Sequence, residues 1–189
     1  MAMARHKALA PIAREMARFR HDPLGHALFA YPWGEDVLSG VKGPRAWQRG
    51  VMAAIRAHLS DPVTVYTPCR IARASGHGIG KSALIAMLIK WGLDTGVDTR
   101  IIVTANTESQ LLTKTAPEIM KWHGLSCTRD WFRATATALI AVPSRHARSW
   151  RADLVTWSVA NTEAFAGLHN QGKRIILIFD EASGIAAKI

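Results

Sequence analysis

Two short runs constrain the fold of this chain more than anything else in it. They are Arg100-Ile-Ile-Val-Thr-Ala-Asn106 and Arg174-Ile-Ile-Leu-Ile-Phe-Asp-Glu181. Each is almost continuously apolar, with no polar residue at every second position. Successive strand side chains point to opposite faces, so a strand of this kind must be covered on both. That condition is met inside a parallel sheet with helices packed on its faces. Directly after the first run, Thr107-Glu-Ser-Gln110 fits a capping box that opens a helix. Strand, capped helix and strand again predict repeated βα units, right-handed crossovers and an α/β fold. The chain has 189 residues and 49% apolar content, enough for one such domain and short for two.

In parallel sheets of this class the carboxyl ends of the strands line the ligand crevice. The second run ends there in Asp180-Glu181. Buried strands do not end in paired carboxylates by preference, because unpaired charge is costly to desolvate. A metal and an attacking water would account for both, with Asp180 holding Mg²⁺ directly or through water and Glu181 acting as general base. Thr104 and Asn106 fall near the same crevice, although Asn106 and Thr107 also serve simply to end a strand and cap a helix.

Upstream, residues 73–82 read RASGHGIGKS. This nearly spells the phosphate loop G-x-x-x-x-G-K-[ST], with Ser75 in place of the first glycine. Gly76, Gly78 and Gly80 supply the backbone freedom such a loop needs. With His77 and Ile79 they present the run of N–H groups that curls around phosphate. Lys81 is placed to reach the β- and γ-phosphates, and the Ser82 hydroxyl to hold Mg²⁺. Residues 63–67 and 70–74 are β-compatible, and the second ends at the loop. Residues 82–91, SALIAMLIKW, predict a buried helix ended by Gly92 and Gly96. The other reading of this stretch is a glycine-rich turn that happens to carry Lys-Ser. Arg70 or Arg73 either reaches a γ-phosphate or is a strand-edge charge.

Net charge is +10, from 24 Lys+Arg against 14 Asp+Glu. That favours a polyanionic partner, nucleic acid first, over a chain that is merely basic. The cluster Arg145, His146, Arg148, Trp150 and Arg151 mixes bases with an aromatic, as phosphate and stacking surfaces do, and as a solvated basic loop also does. Cys69 and Cys127 match no zinc spacing and read as reduced, in a cytoplasmic setting. No uncharged apolar run reaches transmembrane length, so no membrane association is expected. Residues 1–45 read as an amphipathic basic helix over 4–20, a solvated face before a surface for nucleic acid or a partner subunit, followed by a Pro- and Gly-rich connecting segment. Residues 46–189 read as the nucleotide-binding domain. It opens with a helix from Ala46 to about Leu59 that carries Gln48. A glutamine amide can donate and accept toward adenine N6 and N7, or be an ordinary surface group. Residues 154–160 predict a further strand and 161–169 a helix start.

Together GPRAWQ (43–48), ASGHGIGKS (74–82), IIVTANTESQLLTK (101–114), NTEAFAGLHN (161–170) and ILIFDEASGI (176–185) resemble the ATPase part of the large terminase subunit, the DNA-packaging motor of tailed bacteriophages. The resemblance implies a P-loop NTPase of the ASCE, RecA-like type, a three-layer sandwich with a mostly parallel central sheet. It implies ATP and Mg²⁺ as cofactors and ATP-driven movement of double-stranded DNA into a procapsid in the host cytoplasm. The implied partners are a homo-oligomeric ring on the portal and a small terminase subunit. Residue by residue, Gln48 corresponds to the adenine-motif glutamine, Gly80, Lys81 and Ser82 to the phosphate loop, Asp180 to the Mg²⁺ aspartate and Glu181 to the catalytic glutamate. The family's coupling motif, later strands and nuclease domain have no counterpart here, so a sheet incomplete at its C-terminal side and no nuclease activity are expected. The alternatives are a non-catalytic nucleotide- or DNA-binding fragment, a superfamily 2 helicase-like ATPase, and a small-molecule kinase.

Overall fold

The computed structural model describes residues 11–74, 76, 78–105, 107–156 and 172–180. The apolar runs become strands. β1 (Arg100–Ala105), β2 (Phe132–Ala134), β3 (Ala138–Ala141), β4 (Arg151–Leu154) and β5 (Ile175–Asp180) form one sheet in the order β2-β3-β4-β1-β5. β1 runs parallel to both β4 and β5, with Ala105 opposite Asp180. β2 with β3, and β3 with β4, are antiparallel. The fold is α/β, but the sheet is mixed, which corrects the expectation of a mostly parallel one. Chain length explains the difference. Only residues 135–137 join β2 to β3, and only 142–150 join β3 to β4. A parallel return needs a crossover of about a dozen residues or more, so these strands must turn back on themselves.

The two founding runs meet different surroundings. β1 is buried along its length except at Arg100. β5 pairs only with β1 among the described residues, and Ile175 and Leu177 remain 38% and 44% exposed.

Residues 11–18 are helical (α1), so the described part of the N-terminal helix stops short of residue 20. Met16 is fully buried and Ile12 packs on the core, so this helix has a packed face as well as a solvated one. α2 (Pro23–Ala30) lies where a Pro- and Gly-rich connection was expected. The proline stands in the first helical turn, where its missing N–H costs nothing, and the Asp22 side chain accepts from Gly25 N. α3 spans Ala46–Ser60.

α4 (Lys81–Thr95) continues through Gly92 and stops at Gly96. Gly92 lies where the helix packs closely on side chains of the sheet. A Cβ there would lie 2.5 Å from Ile176 Cδ1 and 3.0 Å from Ile101 Cδ1. A helical turn Glu108–Gln110, a π-helical stretch Leu111–Thr115 and α5 (Ala116–Leu125) follow β1 as one rod. The expected cap is present, with Thr107 Oγ1 accepting from Gln110 N at 3.2 Å.

The run before the glycine-rich loop departs from expectation. Residues 68–74 form no strand and are exposed, and Thr64–Tyr66 is a 3₁₀ turn. Arg70 and Arg73 would fall on opposite faces of a strand through 70–74, so neither face is continuously apolar, unlike β1. β4 ends at Leu154, short of the expected 154–160. The expected helix start at 161–169 lies outside the described residues.

One apolar cluster joins residues from α1 and α2 to α3, α4, α5 and the sheet, Met16, Ala27, Met52, Met87, Ile101 and Leu139 among them. Indole N–H groups tie it to backbone. Trp91 Nε1 donates to Phe19 O at 2.8 Å and Trp150 Nε1 to Leu93 O at 2.9 Å. Within this core the C-terminal half of α4 carries charge. Lys90 Nζ lies 2.9 Å from Asp94 Oδ1, one helical turn on, and His26 Nε2 lies 2.9 Å from Asp94 Oδ2. Thr128 Oγ1 donates to Asp94 Oδ2 at 2.7 Å. Burial pushes the Asp94 carboxyl up, but Lys90, His26 and Thr128 outweigh it and hold its pKa below the usual value. No helix among the described residues is long and apolar enough to cross a membrane.

Candidate functional site

The glycine-rich loop meets α4 through left-handed backbone. Gly78 has φ +71° and Gly80, the N-cap of α4, has φ +90°. Side chains rarely adopt such angles, and a Cβ on Gly80 would also sit 3.1 Å from Gln48 Nε2. Lys81 and Ser82 then open α4, at the positive end of the helix dipole.

The first turn of α3 pins the loop. Trp47 Nε1 donates to Ile79 O at 3.2 Å and Gln48 Nε2 donates to Gly80 O at 2.8 Å. In a trans peptide C=O and N–H point in opposite directions. Holding these two carbonyls on α3 therefore turns the N–H groups of Gly80 and Lys81 away from it. Gln48 is 3% exposed, and its Oε1 accepts from Arg45 N at 2.8 Å. Both ends of its amide are engaged within the protein, one on the cap of α3 and one on the loop. The sequence reading overlooked Trp47, the neighbour of Gln48 in GPRAWQ. An indole beside a buried amide was the available signal.

A cavity of about 330 Å³ opens at the start of α4. One wall is the loop and first helical turn: Gly78, Gly80, Lys81, Ser82 and Ala83. Asp180, at the carboxyl end of β5, forms another side. The rod after β1 contributes Gln110, Lys114 and Glu118. Asp180 is 6% exposed, and Thr115 Oγ1 donates to its Oδ2 at 2.7 Å. Thr115 closes the π-helical stretch, whose irregular bonding is marked by Ala116 N donating to Leu111 O. Single π-turns inside α-helices recur at functional sites. No sequence pattern announces this one, so Thr115 and the three cavity residues of the rod were not foreseen.

Of the residues singled out from sequence, the structure gathers Gly78, Gly80, Lys81, Ser82 and Asp180 around one cavity. Ile79 contributes its carbonyl to Trp47, and Gly76 is exposed outside the cavity. Ser75, His77, Asn106 and Glu181 lie outside the described residues. Arg70 and Arg73 are exposed and do not line the cavity. Thr104 is buried in β1 with no hydrogen-bond partner for its hydroxyl.

The basic cluster is largely engaged in structural contacts. His146 Nδ1 lies 2.7 Å from Asp98 Oδ1, and Arg151 and Arg100 both pair with Asp153. Trp150 packs edge-on against Phe132 with ring centroids 5.1 Å apart. Cys69 and Cys127 are free thiols.

Among the described residues no group of three or more His, Cys, Asp or Glu gathers for a metal. Ser82 and Asp180 offer a hydroxyl and a carboxylate across one cavity. Mg²⁺ takes hard oxygen ligands and is usually held by one or two protein groups, waters and substrate phosphates, which this donor set fits. No family model matches the chain, and no curated protein or solved structure matches it.

Proposed function

We propose that the chain binds ATP with Mg²⁺ and hydrolyses it, as the ATPase module of a terminase-type DNA-packaging motor. One observation carries the nucleotide part. Lys81 and Ser82 at the N-terminus of α4, the left-handed glycines before them, and Asp180 at the end of a distant strand share a single cavity. A helix N-terminus with a lysine and exposed loop amides selects phosphate. A carboxylate would repel phosphate unless a cation stands between them, so Asp180 in the same cavity argues for a metal-bound nucleotide rather than a bare anion.

The roles follow from these positions. The loop amides and Lys81 bind and orient the β- and γ-phosphates. Ser82 and Asp180 would hold Mg²⁺, which supplies charge neutralisation at the phosphoryl oxygens. Thr115 orients Asp180 by donating to one of its oxygens, and Trp47 and Gln48 hold the loop's carbonyls away from the ligand. Glu181, next in sequence to Asp180, takes the proton of the attacking water. Coupling to double-stranded DNA, with a small subunit, a portal and a ring of copies, rests on the resemblance of the five motifs and on the net charge of +10.

Calorimetry with ATP and Mg²⁺ on the wild type and Lys81→Ala, run beside phosphate release with and without duplex DNA, tests this reading. Binding lost in the variant, with release stimulated by DNA, is the expected result. Absence of binding to wild type would overturn it. Binding without release would leave a nucleotide-binding module and overturn the hydrolytic part.

A further inference from the structure

The rod after β1 puts a second lysine on the cavity. Lys114 lies in the π-helical stretch, on the wall that also bears Gln110 and Glu118. The two described carboxylates on this cavity, Glu118 and Asp180, have partners of their own. Glu118 Oε1 accepts from Trp122 Nε1 at 2.7 Å and lies 3.6 Å from Lys121, and Asp180 accepts from Thr115. Lys114 belongs to no ion pair among the described residues. An ammonium directed at a cavity, with the nearby acids engaged by other groups, is arranged for an anion from outside.

Its neighbour fixes which part of the anion it meets. Thr115 holds Asp180 while Lys114, one residue earlier, faces the cavity. Lys114 stands on the rod's wall of the cavity rather than on the loop, so a phosphate chain seated on the loop and Lys81 would meet it with the group that extends furthest from the loop, its terminal phosphate. Building on the nucleotide reading above, we propose that Lys114 is a second phosphate-binding cation, contacting the terminal phosphate and favouring nucleoside triphosphate over diphosphate. The rod that holds Asp180 then also reports whether that phosphate is present.

The test is calorimetry of the full chain with ATP and ADP, each with Mg²⁺, for wild type, Lys114→Ala, Lys114→Arg and Lys81→Ala. Melting curves serve as a folding control, since Lys114 is exposed and its replacement leaves the core untouched. The expected result is roughly tenfold weaker ATP binding in Lys114→Ala, with ADP binding within about twofold of wild type and recovery in Lys114→Arg. Lys81→Ala should weaken both nucleotides. If Lys114→Ala leaves the two affinities unchanged, or lowers both equally, the assignment of Lys114 is overturned while the nucleotide reading stands. If wild type binds neither nucleotide, that reading fails and the inference fails with it.

Discussion

The two ends of α4 carry lysines in opposite circumstances. At the C-terminal end, Lys90 is 1% exposed and its partners are built in: Asp94 one turn on, with His26 and Thr128 completing the carboxylate's contacts. At the N-terminal end, Lys81 opens onto a cavity with Ser82 and Asp180. Both ends bring together a lysine, a carboxylate and a hydroxyl. The buried set draws its partners from its own residues and packs against the core, so its work is to join α2 and residue 128 to the helix. The open set is arranged around a space, and that space rather than the residue types is what marks a ligand site. Charge inside a protein is therefore ambiguous until its surroundings are known.

Breaking the buried end should give the largest effect. Asp94→Ala leaves Lys90 charged in the core and should cost about 3–5 kcal/mol in chemical denaturation. The double variant Lys90→Met, Asp94→Leu removes both charges and should cost much less. A similar loss in both would mean that packing, rather than uncompensated charge, is at stake.

Lys81→Ala should do the reverse, acting on binding more than on stability. It should weaken nucleotide binding by about 1.5–3 kcal/mol, the size of a hydrogen bond to a charged group. A variant that unfolds instead would erase the contrast between the two ends. Gly80→Ala bears on both properties. Its φ of +90° and the amide 3.1 Å away should cost about 1–3 kcal/mol of stability and weaken nucleotide binding with it.

Thr115→Val keeps the shape and removes the donor to Asp180. It should cost about 1 kcal/mol and raise the Mg²⁺ concentration needed for half-maximal nucleotide binding. An unchanged Mg²⁺ dependence would remove Thr115 from the site.

The smallest effect is one of pH. Burial first, and Lys90 next, lower the His123 imidazole from 6.5 to about 4. An unfolded chain binds that proton near 6.5 and the folded one only near 4. His123 therefore contributes stability that is complete above 6.5 and declines as pH falls toward 4. The slope of unfolding free energy against pH over that window should flatten in His123→Gln. Asp94, with its pKa held below 3.8, contributes stability above that value and loses it only at lower pH.

How far the sequence spoke depended on whether a feature was local. The loop, α4 and the capped start of the rod were legible because glycine, lysine and a capping threonine act on the residues beside them. β1 was legible because an apolar run admits few alternatives. α2 was missed because Pro23 and Gly25 were read as breakers, although proline after an N-cap aspartate begins a helix. The antiparallel half of the sheet was missed because β2 and β3 are three and four residues long, too short for periodicity to register. Residues 70–74 were read as β-compatible and form no strand, because Arg70 and Arg73 would stand on opposite faces and leave neither one apolar. At the site, Gln48 was noticed for what it might read in a ligand. Its contact with Gly80, 32 positions away, became visible only in three dimensions.

Gly92 sets a dimension of the molecule. With no side chain between helix and sheet, α4 rests directly on Ile176 and Ile101. The segment carrying Lys81 and the strand carrying Asp180 are thereby held at a fixed spacing. At 1.5 Å per residue the contact lies about 16 Å along the helix from Lys81. A methyl added there would meet the free ends of these two isoleucines, which would have to turn aside to admit it. The approach between the helix that opens the cavity and the strand that borders it is thus decided at a position that does not line the cavity.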